Sequence, residues 1–415
     1  MLQRGASLLS LQSSKEKNMT HKLLLLLVHL LLTTVASSMS PSERASLEAI
    51  RYSLTEMPGS SFFASWDFSD SDPCSSFSGV TCSLGRVETL TLGPGISGSL
   101  SPALSNLTRL TQLILLPGLV TGPVPSELGF LPSLRVVSLT RNRLTGSIPA
   151  SFSSLLDLHT LDLSYNQLSG VIPPRLTRLP HLKVLVLASN HLSGNLGPHV
   201  LSPLFHLDIK MNGVSGPLPD FLPKSLRYLS VSNNSMCGTI EVLESLTELT
   251  YLDLSVNKFT GTIPNSIFRP SVVLLLQRNN FTGMAVPTSF SFILPTGSVI
   301  DLSHNSIAGE LSRELAGAET LFLNNNRLTG EVPGDYIDSL INGTTKTLYL
   351  QHNYLTRFPL QQRQGVKLLG SVSLCLSYNC LVSPFGLSSC PKDAAPLRSR
   401  PSSQCFNFFN HSSIT

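Results

Sequence analysis

Residues 158–173 read LHTLDLSYNQLSGVIP, and residues 182–197 repeat the pattern as LKVLVLASNHLSGNLG. Within TLDLS, Leu161 and Leu163 alternate with Thr160, Asp162 and Ser164, the period of a short strand with one buried face. The closing segment, with Gly170 and Pro173, breaks regular structure and turns the chain back. With the asparagine of this unit as marker, the pattern recurs at Asn142, Asn166, Asn190, Asn212, Asn234, Asn257, Asn279, Asn305, Asn326, Asn353 and Asn379. Gly95 and Gly118 hold the same slot in two earlier copies.

The markers stand 21 to 27 residues apart, which is the leucine-rich-repeat period. One such strand cannot bury its apolar face alone, whereas stacked neighbours form a continuous core. An asparagine turned into that core must have its amide satisfied, since a buried polar group without partners is costly. The eleven asparagines are therefore expected to be a structural ladder. The predicted fold is an α/β solenoid, a leucine-rich-repeat superhelix with a parallel β-sheet on its concave face and cysteine-tied caps. Thirteen strands at ~4.8 Å spacing give a face ~60 Å long, enough for a standard protein interface.

The flanks differ from the array. Lys15, Lys17 and Lys22 precede an apolar run, Leu23 to Leu32, too short to span a bilayer and followed by small residues. This predicts a signal peptide over 1–37. That segment holds Arg4, Lys15, Lys17 and Lys22 against Glu16, so the chain's formal charge of +4 falls to +1 without it. A balance that even speaks against nucleic acid as partner. No other run is long and apolar enough for stable membrane insertion after cleavage.

The expected cap spans 38–86, with a helix from Ser40 to Leu54 and a loop tied by Cys74 and Cys82. The repeats fill 87–373, the last repeat and a four-cysteine cap 374–405, and a tail 406–415. Cys375, Cys380, Cys390 and Cys405 allow three pairings; the expectation is Cys380–Cys390 with Cys375–Cys405, leaving Cys237 free. Asn106, Asn280 and Asn342 head sequons expected to carry glycans, and Asn233 and Asn410 head two more, with lower occupancy expected at Asn233.

No catalytic signature is present, and the chain is not expected to be an enzyme or to need a cofactor or metal. DLSH, at residues 301–304, gathers Asp, Ser and His, but Asp301 and Ser303 fill the outward slots that Asp162 and Ser164 hold elsewhere. The middle outward slot is mostly small or polar, yet becomes Leu275, Phe322 and Tyr349 later in the array; Tyr228 and Tyr251 occupy the outward slot two residues earlier. Aromatic surface gathered in one place marks interaction sites. These five are the candidate partner-binding residues of the concave face.

The LxxLxLxxNxLxGxIP consensus, together with SWDFSDSDPCSSFSGVTC upstream, resembles the plant extracellular leucine-rich-repeat proteins. These comprise receptor-kinase ectodomains, kinase-less receptor-like proteins and polygalacturonase-inhibiting proteins. The resemblance covers about residues 40–390 and is specific at Trp66, Cys74, Gly79, Val80 and Cys82. It implies a secreted recognition protein of the apoplast or cell wall, acting in signalling or defence. Its concave face would take a protein or peptide ligand, with a membrane receptor-kinase ectodomain among the candidate partners. The alternative it implies is an inhibitor of a cell-wall-degrading hydrolase such as polygalacturonase.

Overall fold

Each repeat contributes one short strand, and the strands stack without offset. Val184–Val186, for example, pairs in parallel with Thr160–Asp162 on one side and His206–Asp208 on the other, residue for residue. The computed structural model describes residues 39–69, 72–268, 273–285, 294, 297–359, 368, 370–381, 390 and 398–412. The expected signal peptide lies outside the described residues. Among them, one sheet of 14 strands runs from Val80–Ser83, which is antiparallel, through Arg86–Leu92 to Ser373–Cys375. Leucines behind it, such as Leu161, Leu163, Leu185 and Leu187, are fully buried in one continuous core.

The asparagine ladder holds the stack together. Asn166 Oδ1 accepts from Leu144 N of the preceding repeat at 3.0 Å, and its Nδ2 donates back to Leu139 O at 2.8 Å and to Leu163 O at 3.1 Å. The pattern holds as far as Asn379, which accepts from Leu355 N at 3.1 Å and donates to Leu350 O at 2.9 Å. Every ladder side chain thus closes its own turn and pins it to the turn before. Gly118 departs from the ladder for a steric reason. A Cβ there would stand 2.5 Å from Ile96 O.

The closing segments after the asparagines, such as 170–173, are expected to break regular structure and turn the chain back. Many are strands instead: Ser169–Val171 pairs with His191–Ser193, and Ser215–Gly216, Ser235–Gly238, Lys258–Ile263 and Asn280–Met284 form a second parallel row. Most repeats then return through a 3-10 helix, such as Pro102–Asn106 or Ala150–Ser154, with an α-helix at Gly334–Ile341.

The N-terminal cap begins with the helix Pro41–Ser53, whose first turn is closed by Ser40 Oγ accepting from Glu43 N at 3.2 Å. Leu47 and Ile50 face the core. Leu54, expected in the helix, starts a strand, Leu54–Glu56, that pairs antiparallel with Ile96–Ser99. Glu43, 1% exposed, accepts from Arg86 Nε at 2.8 Å and Val87 N at 3.1 Å, satisfying the first repeat strand where no earlier repeat exists. Trp66 stacks on Phe77 at 5.1 Å and donates to Ser78 O at 2.9 Å. Gly79 lets the cap approach the sheet, since a Cβ would lie 1.9 Å from Thr91 O. Cys74 and Cys82 are bonded.

At the other end the pairing differs from the expectation. The bonds are Cys375–Cys390 and Cys380–Cys405, not Cys380–Cys390 with Cys375–Cys405. Cys375 points from the last strand in the middle outward slot, in register with Tyr349, whereas Cys380 follows Asn379 on the turn. Each takes its partner from its own side of the last repeat. The boundary placed after residue 405 also falls inside a helix, Ser402–Ser412. The chain leading to that helix lies along the turns: Tyr378 N donates to Arg398 O and Arg400 N to Asn379 O, both at 2.7 Å. Arg400 stands 4.1 Å from the Tyr354 ring centroid and 4.7 Å from that of Tyr378.

The residue before each ladder asparagine is left-handed, from Arg141 at φ 54° to Tyr378 at φ 57°. Asn233 and Asn325 suit this conformation; Val256, at φ 54° and 41% exposed, does not, because a branched Cβ crowds the backbone there. Val256→Asn is expected to raise unfolding stability by about 1 kcal/mol. Its neighbour Asn257 accepts from Met236 N at 2.9 Å and donates to Val231 O at 2.9 Å. Asn257→Ala should therefore cost about 2 kcal/mol or more. Urea titration of the two variants should shift the midpoint in opposite directions; shifts of one sign would contradict this account of the turn.

Candidate functional site on the concave face

Outward side chains of the long sheet fall into rows, one residue per strand, because residues i and i+2 share a face. The first row carries Val184, His206, Tyr228, Tyr251, Val273 and Val299 on consecutive strands. In the middle row the same strands carry Val186, Asp208, Ser230, Asp253, Leu275 and Asp301, followed by Phe322, Tyr349 and Cys375. The apolar band therefore crosses the face obliquely. It starts in the first row and shifts to the middle row at Leu275.

Two aromatic groups lie on this band. His206, Tyr228 and Tyr251 form a face-to-face stack with ring centroids 4.1 and 4.3 Å apart and interplanar angles of 2° and 6°. Phe322 and Tyr349 form a tilted pair at 5.1 Å, and Tyr349 Oη lies 3.1 Å from Ser373 Oγ. Three strand steps, ~14 Å, separate the groups. All five rings are half-buried. Tyr228, Tyr251, Phe322, Tyr349 and Leu275 are the expected residues; His206, which fills the same outward slot as the two tyrosines, joins them.

Packing sets the protonation of the stack. Burial pushes the phenols of Tyr228 and Tyr251 up to about 12, so both remain hydrogen-bond donors. Burial likewise lowers the His206 imidazole and keeps it neutral near pH 7. Lys210 lies 2.9 Å from Asp208; burial works against its charge, but the bond and attraction to Asp208 outweigh it and raise the ammonium above its ordinary value.

The aspartates of the middle row first serve the fold. Asp253 Oδ1 accepts from Ser255 N at 3.0 Å and Ser255 Oγ at 2.6 Å, and Asp301 Oδ1 accepts from Ser303 N at 2.9 Å. In the DLSH segment, His304 turns to Asn325, with ring nitrogen and amide 3.3 Å apart, so Asp, Ser and His form no relay. Among the described residues no group of three or more acidic, His or Cys side chains is arranged for a metal. The sequons at Asn106, Asn233, Asn280 and Asn342 are all exposed.

A leucine-rich-repeat N-terminal domain matches residues 40–83, and leucine-rich repeats match 132–192 and 248–269. These are leucine-rich repeats behind their own N-terminal domain, similar to those of plant extracellular proteins. Receptor-like protein 54 of Arabidopsis thaliana is 34% identical over 142 residues, covering 32% of this chain and 17% of that protein. Receptor-like protein EIX2 of Solanum lycopersicum is 31% identical over 109 residues, covering 25% and 10%. The leucine-rich-repeat chain thus spans less than a fifth of either relative's length. Among solved structures it is similar to the plant peptide hormone receptor RGFR1 in complex with RGF2 (TM-score 0.60, 26% identity, 69% of this chain and 50% of that one). It is also similar to a plant ice-binding protein (TM-score 0.52, 25% identity, 86% and 100%). Among the described residues no helix is long and apolar enough to cross a membrane.

Asp301 stands apart from the other middle-row aspartates. Leu275 and Phe322 flank it on the two neighbouring strands, and burial raises its carboxyl above the ordinary 3.8 despite the bonds from Ser303. A raised folded-state value means that ionisation opposes folding: stability declines as pH rises from the unfolded value through the folded one. Asp301→Asn keeps the acceptor for Ser303 N and removes the charge. It should melt above the unsubstituted chain at pH 7, with the gap closing toward pH 3; an unchanged or lower melting temperature at pH 7 would contradict the account.

Proposed function

We propose that this chain is a secreted recognition protein of the apoplast that binds a protein or peptide partner along the oblique band from Val184 to Tyr349, in cell-surface signalling or defence. The carrying observation is the gathering of five half-buried rings on one face, three in a stack and two as a tilted pair. Rigid aromatic surface is the usual source of binding energy in an interface. The likeness to a peptide hormone receptor and to receptor-like proteins supports the reading. So do three disulfides, which suit an oxidising compartment.

The test is capture of receptor-kinase ectodomains or wall-extract proteins by the full chain, compared with Tyr228→Ala/Tyr251→Ala and Phe322→Ala/Tyr349→Ala. Each double variant should weaken capture by about 2 kcal/mol or more with little change in melting. Normal capture by both would place recognition off this band. Stoichiometric inhibition of a purified polygalacturonase would instead favour a hydrolase inhibitor.

A further inference from the structure

The C-terminal end of the band holds acceptors that are not fully paired. Asp301 sits between Leu275 and Phe322, partly open to solvent, and no ion pair reaches it among the described residues. By contrast, Asp208 has Lys210, and Asp253, besides the serine two residues on that Asp301 also has, lies 3.5 Å from Ser230 Oγ. Gln277, two residues past the strand Val273–Leu275, and Gln351, two past the strand Thr347–Tyr349, each have a side-chain oxygen turned from solvent with no hydrogen-bond partner. Gln351 is only 6% exposed, and it shares a face with Tyr349, two residues away. A buried acceptor left unpaired costs free energy, and so does a carboxylate flanked by apolar side chains. The fold therefore keeps a carboxylate beside Phe322 and an unpaired amide oxygen beside Tyr349 at a cost to itself.

We infer that this end of the face is a subsite for the guanidinium of an arginine in an extended peptide, with Asp301 as its counter-ion and Phe322 and Tyr349 as its stacking surface. The inference rests on the proposed reading of the concave face. A guanidinium is the side-chain group that fits a carboxylate next to an aromatic ring. It offers five donors in a plane, pairs with a carboxylate in two-pronged fashion, and lies flat on an aromatic ring. A lysine ammonium carries the charge but lacks the flat face. A carboxylate or phosphate would meet acceptors and Asp301. The positive groups nearby are Arg278 and His304 on the turns; burial, and then Arg278, hold the imidazole below its ordinary value. Arg278 acts on Asp301 through charge, and no ion pair joins the two among the described residues. With the two aromatic groups ~14 Å apart, an extended peptide would place this arginine about four residues from its contact with Tyr251.

The probe is a randomised octapeptide library passed over the immobilised full chain, with retained peptides identified by mass spectrometry. Arginine should be enriched at one position relative to lysine. In the tightest peptide, arginine→citrulline should weaken binding at least tenfold. Asp301→Asn should cause a similar loss, and combining the two should add little. If retention depends on Phe322 and Tyr349 but shows no arginine enrichment, or if Asp301→Asn binds as before, the subsite is wrong while the recognition band stands. If no peptide is retained, or retention ignores the aromatic residues, both fail.

Discussion

One hydrogen-bonding geometry recurs through the whole molecule: an asparagine amide inserted between a turn and the turn before it. The leucines supply the burial, but burial is non-directional and would not by itself impose a register. The ladder does, because each Oδ1 has one amide to meet and each Nδ2 its carbonyls. The left-handed residue before every asparagine is part of the same constraint. Strain of that kind persists only where surrounding structure over-determines it. The strands are in register because the turns that follow them are pinned.

That regularity makes the concave face a readable surface. With the backbone repeating, chemistry varies only in the side chains that point outward, one per row per strand. The aromatic stack and the Phe322–Tyr349 pair arise wherever consecutive repeats place rings in the same slot. Little rearrangement is needed to present them, and pre-organised surface is what lowers the entropic cost of binding.

The array was legible in the sequence because two periods coincide, the alternation within TLDLS and the spacing of the asparagines. The outward position of Tyr228, Tyr251, Leu275, Phe322 and Tyr349 was legible too, since slot position alone decides which side chains face outward. Other features carried no such signal. His206 was passed over because histidine is not a hydrophobic outlier in a polar slot, although its neighbours are tyrosines. The second row of strands hides in Leu-Ser-Gly segments whose composition reads as turn, and the pairing comes from the neighbouring repeats. The C-terminal disulfides could not follow from spacing, because Cys375 and Cys380 lie only five positions apart yet on different sides of a turn.

The bridges have one more property in common. They close loops of 8, 15 and 25 residues, all within an end fitting, and none joins one end to the other or to the middle. The ladder bonds likewise reach back by a single repeat. Neither fitting therefore senses how many repeats stand between them, and the count is a free variable of the architecture. Duplicating or deleting one unit from asparagine to asparagine would lengthen or shorten the face by one strand and leave both ends chemically intact. The reach of such a surface can be retuned in whole steps while its stability is maintained locally.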